Sequence, residues 1–197
     1  QARVAQQVLD TDREAAAVAL DRVVSAAGSS LTDLRRTLET MRSDRDGTGH
    51  APTTLAGIET TAQAARDAGL EVSLDVRLGG AVVPGPVAGA AFRIVQESVT
   101  NVLRHARATR VRIGVRAESG VLHLEVVDDG PGIHPDDLSQ ILEKFGRGRD
   151  AEGNRKPGAG LGLYLSRRIA QAHGTDLRVD SAPGKGSTFA FDLEVAE

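Results

Sequence analysis

The stretch FRIVQESVTNVLRHA, residues Phe92–Ala106, predicts a helix with polar side chains grouped along it. On a helix Glu97 and Asn101 are four residues apart and share one face, as do Asn101 and His105. A carboxylate and an amide oxygen so placed can hold Mg²⁺, which prefers oxygen ligands. Arg104 and His105 would then lie beside them to meet phosphate oxygens. Taken alone, this spacing is more typical of an ordinary solvated helix face.

A second motif closes a predicted strand. Residues Val126–Ile133 read VVDDGPGI and carry Asp128, Gly130 and Gly132 in the pattern Asp-x-Gly-x-Gly. A carboxylate at the end of a strand could accept a hydrogen bond from an exocyclic amine such as that of adenine. The glycines allow the backbone to pass close to a ligand. A plain Asp-Gly turn explains the motif equally well.

Two further motifs follow, Ile141–Gly148 (ILEKFGRG) and Gly158–Leu165 (GAGLGLYL). In the first, Phe145 leads into a polar, basic stretch of a kind that is often functional, although a simple surface loop also fits. In the second, glycines leave backbone N–H groups free before a predicted helix, an arrangement that attracts phosphate. A flexible hinge is the alternative. The pattern is not a Rossmann loop, because it does not directly follow a strand, and Gly184-Lys185-Gly186 is not a Walker A loop.

The elements predicted around these motifs indicate an α+β fold. Strands are predicted at Glu71–Leu78, Arg110–Ala117, Val121–Asp128, Leu177–Ser181 and Ser187–Val195, and helices at Thr54–Ala68, Val87–Ala106 and Leu161–His173. Strands joined by hairpins, with the helices on one side, favour a two-layer sandwich in which one face of a mixed sheet is covered by helices.

The first 46 residues follow a different pattern. Apolar residues recur at alternating spacings of four and three, a 3.5-residue period that keeps a seam facing a partner helix. They are Leu20, Val24, Ala27, Leu31, Leu34, Leu38 and Met41. We predict a helical hairpin that pairs with a second copy into a four-helix bundle, with one amphipathic helix in a monomer as the alternative. Residues 47–53 are predicted to be a linker and residues 54–197 a second domain.

Composition excludes several functions. The net charge of -3 leaves no basic excess for a phosphate backbone, which argues against nucleic acid as the main partner. The chain has no Cys, so disulfides and thiolate chemistry are excluded. No apolar run reaches the roughly 18 residues of a spanning helix, so we expect no membrane contact by this chain and a cytoplasmic location. Because it begins with Gln1, we interpret it as a piece of a longer protein whose parent has room for a membrane anchor.

In their order and spacing, the four motifs resemble the N, G1, F and G2 boxes of the ATP-binding domain of bacterial sensor histidine kinases. That domain belongs to a superfamily with gyrase and the heat-shock chaperone ATPases, and the resemblance spans residues 54–197. Pro183–Phe189 (PGKGSTF) looks like the closing turn of the domain. Leu9–Asp12 and Leu34–Arg36 look like parts of the dimerisation hairpin of the nitrate-sensor type.

The resemblance implies ATP and Mg²⁺ as cofactors. It implies that Asn101 coordinates the metal and that Glu97 polarises the attacking group or orders the metal shell, while Asp128 recognises the adenine amine. The implied cofactor-binding residues are Asn101, Arg104, His105, Asp128, Gly130, Gly132, Phe145, Gly158, Gly160, Leu161, Gly162 and Thr188. The implied partners are a second copy, through the N-terminal helices, and the receiver domain of a response regulator.

One departure concerns the phosphate acceptor. Kinases of this type carry a histidine followed by an acidic residue on the first hairpin helix, and none of the five histidines here fits that pattern. We therefore expect the acceptor upstream and a fragment that cannot phosphorylate itself. The alternatives are another ATPase or a serine kinase of the same superfamily, or a non-catalytic dimerising signalling module.

Overall fold

The computed structural model describes residues 54–149, 153 and 159–195. Apart from Ala159, they all belong to one compact unit. The predicted hairpin (1–46), the linker (47–53) and Gly158 lie outside the described residues and stay predictions. Among the described residues, no helix is both long and apolar enough to span a bilayer.

A five-stranded mixed sheet forms one layer. Its strands are β1 (Glu71–Arg77), β2 (Arg110–Glu118), β3 (Val121–Asp128), β4 (Arg178–Ser181) and β5 (Ser187–Glu194). The spatial order is β1-β2-β3-β5-β4, with β1 parallel to β2 and the other pairs antiparallel. The predicted strand bounds agree with these to within two residues, because period-two alternation is easy to read from the chain.

Helices form the other layer. They are α1 (Ala56–Asp67), α2 (Gly85–Asn101), α3 (Pro135–Ile141) and α4 (Gly162–Ala172). The predicted helix ending at Ala106 is confirmed in extent, but its last five residues, Val102–Ala106, are π-helical. The short helix α3 was not predicted, since seven residues are too few to show a helical period.

The core lies between the two layers. Strand β5 alternates buried and half-buried residues along its length, so one face of the sheet is covered and the other is not. Phe189, Phe191 and Leu193 of β5 pack in one cluster with Ile94 and Val95 of α2. Since the aromatic content is only 3%, small aliphatic side chains fill most of this core. The predicted α+β sandwich is therefore confirmed.

Candidate functional site

The end of α2 lies directly against the start of α4. A Cβ atom added at Gly162, the first residue of α4, would lie 1.8 Å from Glu97 Oε1. Only glycine therefore lets the Glu97 carboxylate occupy this place. The contact joins two motifs that are 65 positions apart in the sequence, and it places a carboxylate at a helix N-terminus, where partial positive charge gathers.

Asn101 is the last α-helical residue of α2 and is half-buried. Within the described part of the chain, Asn101 Nδ2 and Ser98 Oγ are the buried side-chain polar atoms that lack a hydrogen-bond partner. Buried amides are normally hydrogen-bonded, and an orphan calls for a ligand, ion or water. The Asn101 side chain thus fits a role in holding a bound group.

The residues after Asn101 form the π-helical segment. Arg104 is exposed and His105 is half-buried within it. The segment ends at Arg107, whose φ of +44° breaks the helix. Short π-helical stretches continuing an α-helix are frequent at functional sites.

Asp128 is the last residue of β3 and is only 4% exposed. Its Oδ1 accepts a hydrogen bond of 2.9 Å from the Gly130 N–H. A Cβ at Gly130 would lie 2.5 Å from the Ala106 carbonyl oxygen, so the turn packs against the end of the π-helical segment. The close approach that Gly130 allows is therefore to the protein's own backbone.

Gly132, like Gly130, allows two stretches of the protein's own backbone to lie close together. It has a φ of +72°, and a Cβ there would lie 2.0 Å from the Ala182 carbonyl oxygen. Both glycines of the Asp-x-Gly-x-Gly motif are thus required by packing around Asp128, whereas the sequence suggested close approach to a ligand.

Thr188 does not lie beside Asp128. In the β3–β5 ladder Thr188 is opposite Val127, whereas Ser187 is opposite Asp128. Because strand residues alternate between faces, Ser187 shares the buried face with Asp128, and Thr188 points the other way. Thr188 therefore does not share a face with Asp128, and its implied role in cofactor binding stays a prediction. The buried Ser187 is the residue opposite Asp128.

Phe145 and Gly160 bring the third and fourth motifs together. The Phe145 N–H donates to the Gly160 carbonyl oxygen at 2.9 Å. Phe145 has a φ of +66° and is 59% exposed, an unusual combination for an aromatic residue. Backbone strain of this kind often gathers at ligand sites. Leu161, half-buried, then leads into α4.

Asp137 of α3 is a residue that sequence reasoning missed. Its side chain is 3% exposed and pairs with the Arg149 guanidinium at 2.8 Å. It also accepts the Arg149 backbone N–H at 3.0 Å. These bonds hold the pKa of the Asp137 carboxyl below its usual range. Nothing in the run His-Pro-Asp-Asp-Leu marks the second aspartate as the buried one.

Asp129 anchors the other side of the turn. Its carboxylate accepts the backbone N–H groups of Thr109 and Arg110, both at 2.8 Å, and the Thr109 hydroxyl at 2.7 Å. Bonds from Arg110 and Thr109 hold its pKa well below the ordinary range. The two adjacent aspartates thus have different roles. Asp129 links the end of β3 to the start of β2, while the Asp128 side chain faces the helices.

Comparisons with known proteins identify relatives of this chain. Residues 87–197 match the family model described as histidine kinase-, DNA gyrase B-, and HSP90-like ATPase. Sensor histidine kinase AruS of Pseudomonas aeruginosa is 39% identical over 115 residues, which cover 54% of this chain and 12% of that protein. Aerobic respiration control sensor protein ArcB of Escherichia coli K12 is 36% identical over 103 residues, 51% of this chain and 13% of that protein. The chain thus spans only a small part of these curated relatives.

Solved structures show the same fold. Full-length ShkA in complex with AMPPNP superposes with a TM-score of 0.58 at 25% identity, covering 72% of this chain and 30% of that one. The histidine kinase domain of the Erythrobacter litoralis EL346 blue-light activated kinase has a TM-score of 0.52 at 26% identity, covering 80% and 70%. With more than half of its length matched and its fold shared, the chain belongs to the family of histidine kinase-, DNA gyrase B- and HSP90-like ATPases.

Proposed function

We propose that this chain is the ATP-binding catalytic part of a sensor histidine kinase. The observation that carries the proposal is the convergence of three element ends. Glu97 of α2 lies against Gly162 of α4, and Ala106, just past α2, lies against Gly130 after β3. Carboxylate, amide and glycine backbone groups are therefore gathered around the end of α2, as one nucleotide site requires.

Asp128 supplies recognition of the base. It is a buried carboxylate at a strand end, with one oxygen already bonded to Gly130 N–H. A hydrogen bond from an amine to a charged acceptor is worth roughly 1.5–3 kcal/mol. The adenine exocyclic amine is such a donor, and a carbonyl at the same position of the base would be rejected.

Asn101 and Glu97 would hold Mg²⁺. The Asn101 side-chain nitrogen, which lacks a partner, fits a hydrogen bond to a phosphate oxygen, and the oxygen of the same amide would be the metal ligand. Among the described residues, no group of three or more His, Asp or Glu side chains could hold a metal ion. That suits Mg²⁺, which is usually bound by one or two protein groups together with substrate phosphates. The ion would supply charge neutralisation at the phosphates.

The remaining residues position the phosphates. Backbone N–H groups at the start of α4, from Gly160 to Gly162, favour negative charge. Arg104 and His105 add side-chain donors from the π-helical segment. Because phosphoryl transfer depends mainly on positioning and charge neutralisation, this set is sufficient without a Walker lysine.

The rest of the phosphorelay is outside this chain. We propose that the γ-phosphate passes to a histidine upstream and then to an aspartate in a response-regulator receiver domain. Residues 1–46 would form part of the dimerisation hairpin in a cytoplasmic homodimer. These steps are supported by the sensor histidine kinases that the chain resembles.

Calorimetric titration with ATP, with and without Mg²⁺, tests the site. The wild-type chain should bind ATP with Mg²⁺-enhanced affinity, and Asn101→Ala should lose that enhancement while Asp128→Asn weakens binding with or without the ion. Gln63→Ala, which removes an amide from exposed α1, is the control. Absence of ATP binding by the wild type at millimolar nucleotide would rule the proposal out in favour of a non-catalytic module.

A labelling experiment tests the transfer. With γ-labelled ATP, this chain alone should remain unlabelled, and a longer chain with the upstream helix should gain acid-labile phosphate. Acid-stable label would instead indicate a serine kinase of the same family.

A further inference from the structure

Ser181, the last residue of β4, bonds to three partners through one hydroxyl. Its Oγ accepts the Ile133 N–H at 2.9 Å and donates to the Gly186 carbonyl oxygen at 2.8 Å. Ser187 Oγ lies 3.1 Å away. A serine hydroxyl has one donor and two acceptor positions. The bonds to Ile133 and Gly186 use one acceptor position and the donor, so both can form at the same time.

The partners of Ser181 come from the two segments that flank Asp128. Ile133 ends the turn that leaves Asp128, whereas Ser187 begins β5 beside it and Gly186 directly precedes that strand. A Cβ at Gly186 would lie 1.9 Å from the Asp128 carbonyl oxygen, so these backbones touch. Ser187 is directly opposite Asp128 in the ladder.

One further bond joins the same two segments. The Gly184 N–H donates to the Pro131 carbonyl oxygen at 2.7 Å. It lies nearer the tip of the β4–β5 turn than the Ser181 hydroxyl does. The Ser181 side chain thus bonds to both segments next to Asp128.

We propose that Ser181 is a positioning residue for recognition of the nucleotide base. Its hydroxyl holds together the two segments flanking Asp128 and so keeps the Asp128 carboxylate where it can accept the exocyclic amine. The inference rests on the proposed function, because it takes Asp128 as the group that binds adenine.

Removing the hydroxyl should affect base selectivity more than binding of the phosphates. Without it, the Ile133 N–H and the Gly186 carbonyl lose a partner, and the turn after Asp128 can shift. Hydrogen bonds weaken steeply as their geometry worsens. The phosphate contacts proposed for α2 and α4 lie on other elements, so they should persist.

The experiment compares ATP with ITP, whose base carries a carbonyl oxygen where adenine carries the amine. Dissociation constants with Mg²⁺ are measured by calorimetry for the wild type, Ser181→Ala, Ser181→Thr and Ser73→Ala. We expect the wild type to prefer ATP, and Ser181→Ala to lower that preference by about fivefold or more with ITP affinity little changed. Ser181→Thr keeps the hydroxyl and should keep the preference. Ser73→Ala, in β1 at the opposite edge of the sheet, should match the wild type.

The outcomes distinguish the proposed role of Asp128 in binding adenine from the proposed role of Ser181 in positioning Asp128. If the wild type binds ITP as well as ATP, the assignment of Asp128 fails, and the role of Ser181 fails with it. If the wild type prefers ATP but Ser181→Ala keeps that preference, or Ser181→Thr loses it equally, only the role of Ser181 is overturned. A fall in the affinities for ATP and ITP by the same factor would show a general structural role of Ser181. That result would also overturn its proposed role in base recognition. Should Ser181→Ala not fold, Ser181→Cys repeats the test with a weakly bonding thiol, and the same drop in preference is expected.

Discussion

Two ends of the proposed nucleotide site are built in different ways. We call Asp128, Gly130, Gly132, Gly186 and Ser187 the base end, and Glu97, Asn101, Phe145, Gly160 and Gly162 the phosphate end. At the base end, the closest neighbours of the glycines are carbonyl oxygens of the backbone. At the phosphate end, the closest neighbour of Gly160 is also a backbone carbonyl oxygen, that of Gly146, but the closest neighbour of Gly162 is the tip of a side chain. The amide nitrogen of Asn101 has no hydrogen-bond partner, and Phe145 is largely exposed.

The difference indicates where a substitution can be accommodated without a shift of the backbone. An added methyl that meets a backbone carbonyl forces the main chain to shift, whereas one that meets the end of a flexible side chain displaces only that side chain. The glycines of the base end are therefore fixed by the backbone around them, whereas Gly162 at the phosphate end is fixed by a side chain that can move. Substitutions at the base end should cost stability, and those at the phosphate end should cost function.

Gly186→Ala should have the largest effect. Gly186 has a φ of +76°, and its added methyl would lie 1.9 Å from the Asp128 carbonyl oxygen. Strain and overpacking together should lower the free energy of unfolding by about 3 kcal/mol or more. Urea denaturation measures this change.

Gly184→Ala is the matched control, because Gly184 has the same φ of +76° but nothing within 4 Å of an added Cβ. It should cost about 1 kcal/mol from backbone strain alone. Equal losses in the two variants would contradict the idea that Asp128 is locked by the turn.

Gly162→Ala should affect function more than stability. The added methyl displaces the Glu97 carboxylate, which can swing away, and alanine favours a helix over glycine by about 1 kcal/mol. We therefore expect an unchanged or slightly higher melting temperature and an affinity for Mg²⁺-ATP lowered about tenfold. Gly85→Ala, at the first residue of α2 with open space around it, should leave the affinity unchanged. A large loss of stability in Gly162→Ala would mean that the phosphate end is as rigid as the base end.

Asp129→Asn tests the electrostatic anchor next to the base end. Because the folded-state pKa of Asp129 is depressed, its carboxylate stabilises the fold above its ordinary pKa, and that contribution is lost as the pH falls through the folded value. The group is partly exposed, so we expect a loss below about 1 kcal/mol at pH 7. The free energies of unfolding of the wild type and Asp129→Asn, measured by denaturation, should converge as the pH falls below about 4. Asp180→Asn, on the exposed side of β4, controls for net charge. A difference that grows in acid would contradict the stated sign.

Phe145→Gly should change the stability of the fold only slightly. Glycine relieves the strain of a positive φ but loses more entropy on folding, so the free energy of unfolding should change by less than about 1 kcal/mol. The affinity for Mg²⁺-ATP should still fall. Lys144→Ala, which removes the ammonium group 5.2 Å from the ring centre but keeps the ring, is the control. Unchanged nucleotide affinity in Phe145→Gly would remove Phe145 from the site.

Much of the fold could be predicted from the chain. Alternation of apolar and polar residues predicts the strands, and β3 has the predicted bounds, Val121–Asp128. Helices α2 and α4 follow from their apolar period and the glycines beside them. The prediction missed α3 and the π-helical segment, because each is too short to show a period of its own.

The candidate site could be predicted less completely. Glu97, Asn101 and Asp128 were chosen for their chemistry, and the structure brings their elements together. A shift of one residue in a strand moves a side chain to the opposite face, and the sequence does not specify that register. It could therefore not show that Ser187, and not Thr188, shares a face with Asp128. Asp137 and Ser181 were missed, since their burial and bonding depend on segments distant in sequence.

Local sequence was enough to establish the order of the strands and the longer helices and the kinds of functional groups at their ends. These follow from periodicity and side-chain chemistry, which act over a few residues. The partners of those groups arise from sheet register and helix packing. Both are long-range, so Glu97 meets Gly162, Ser187 faces Asp128 and Ser181 joins two segments only once the sheet and its covering helices have assembled.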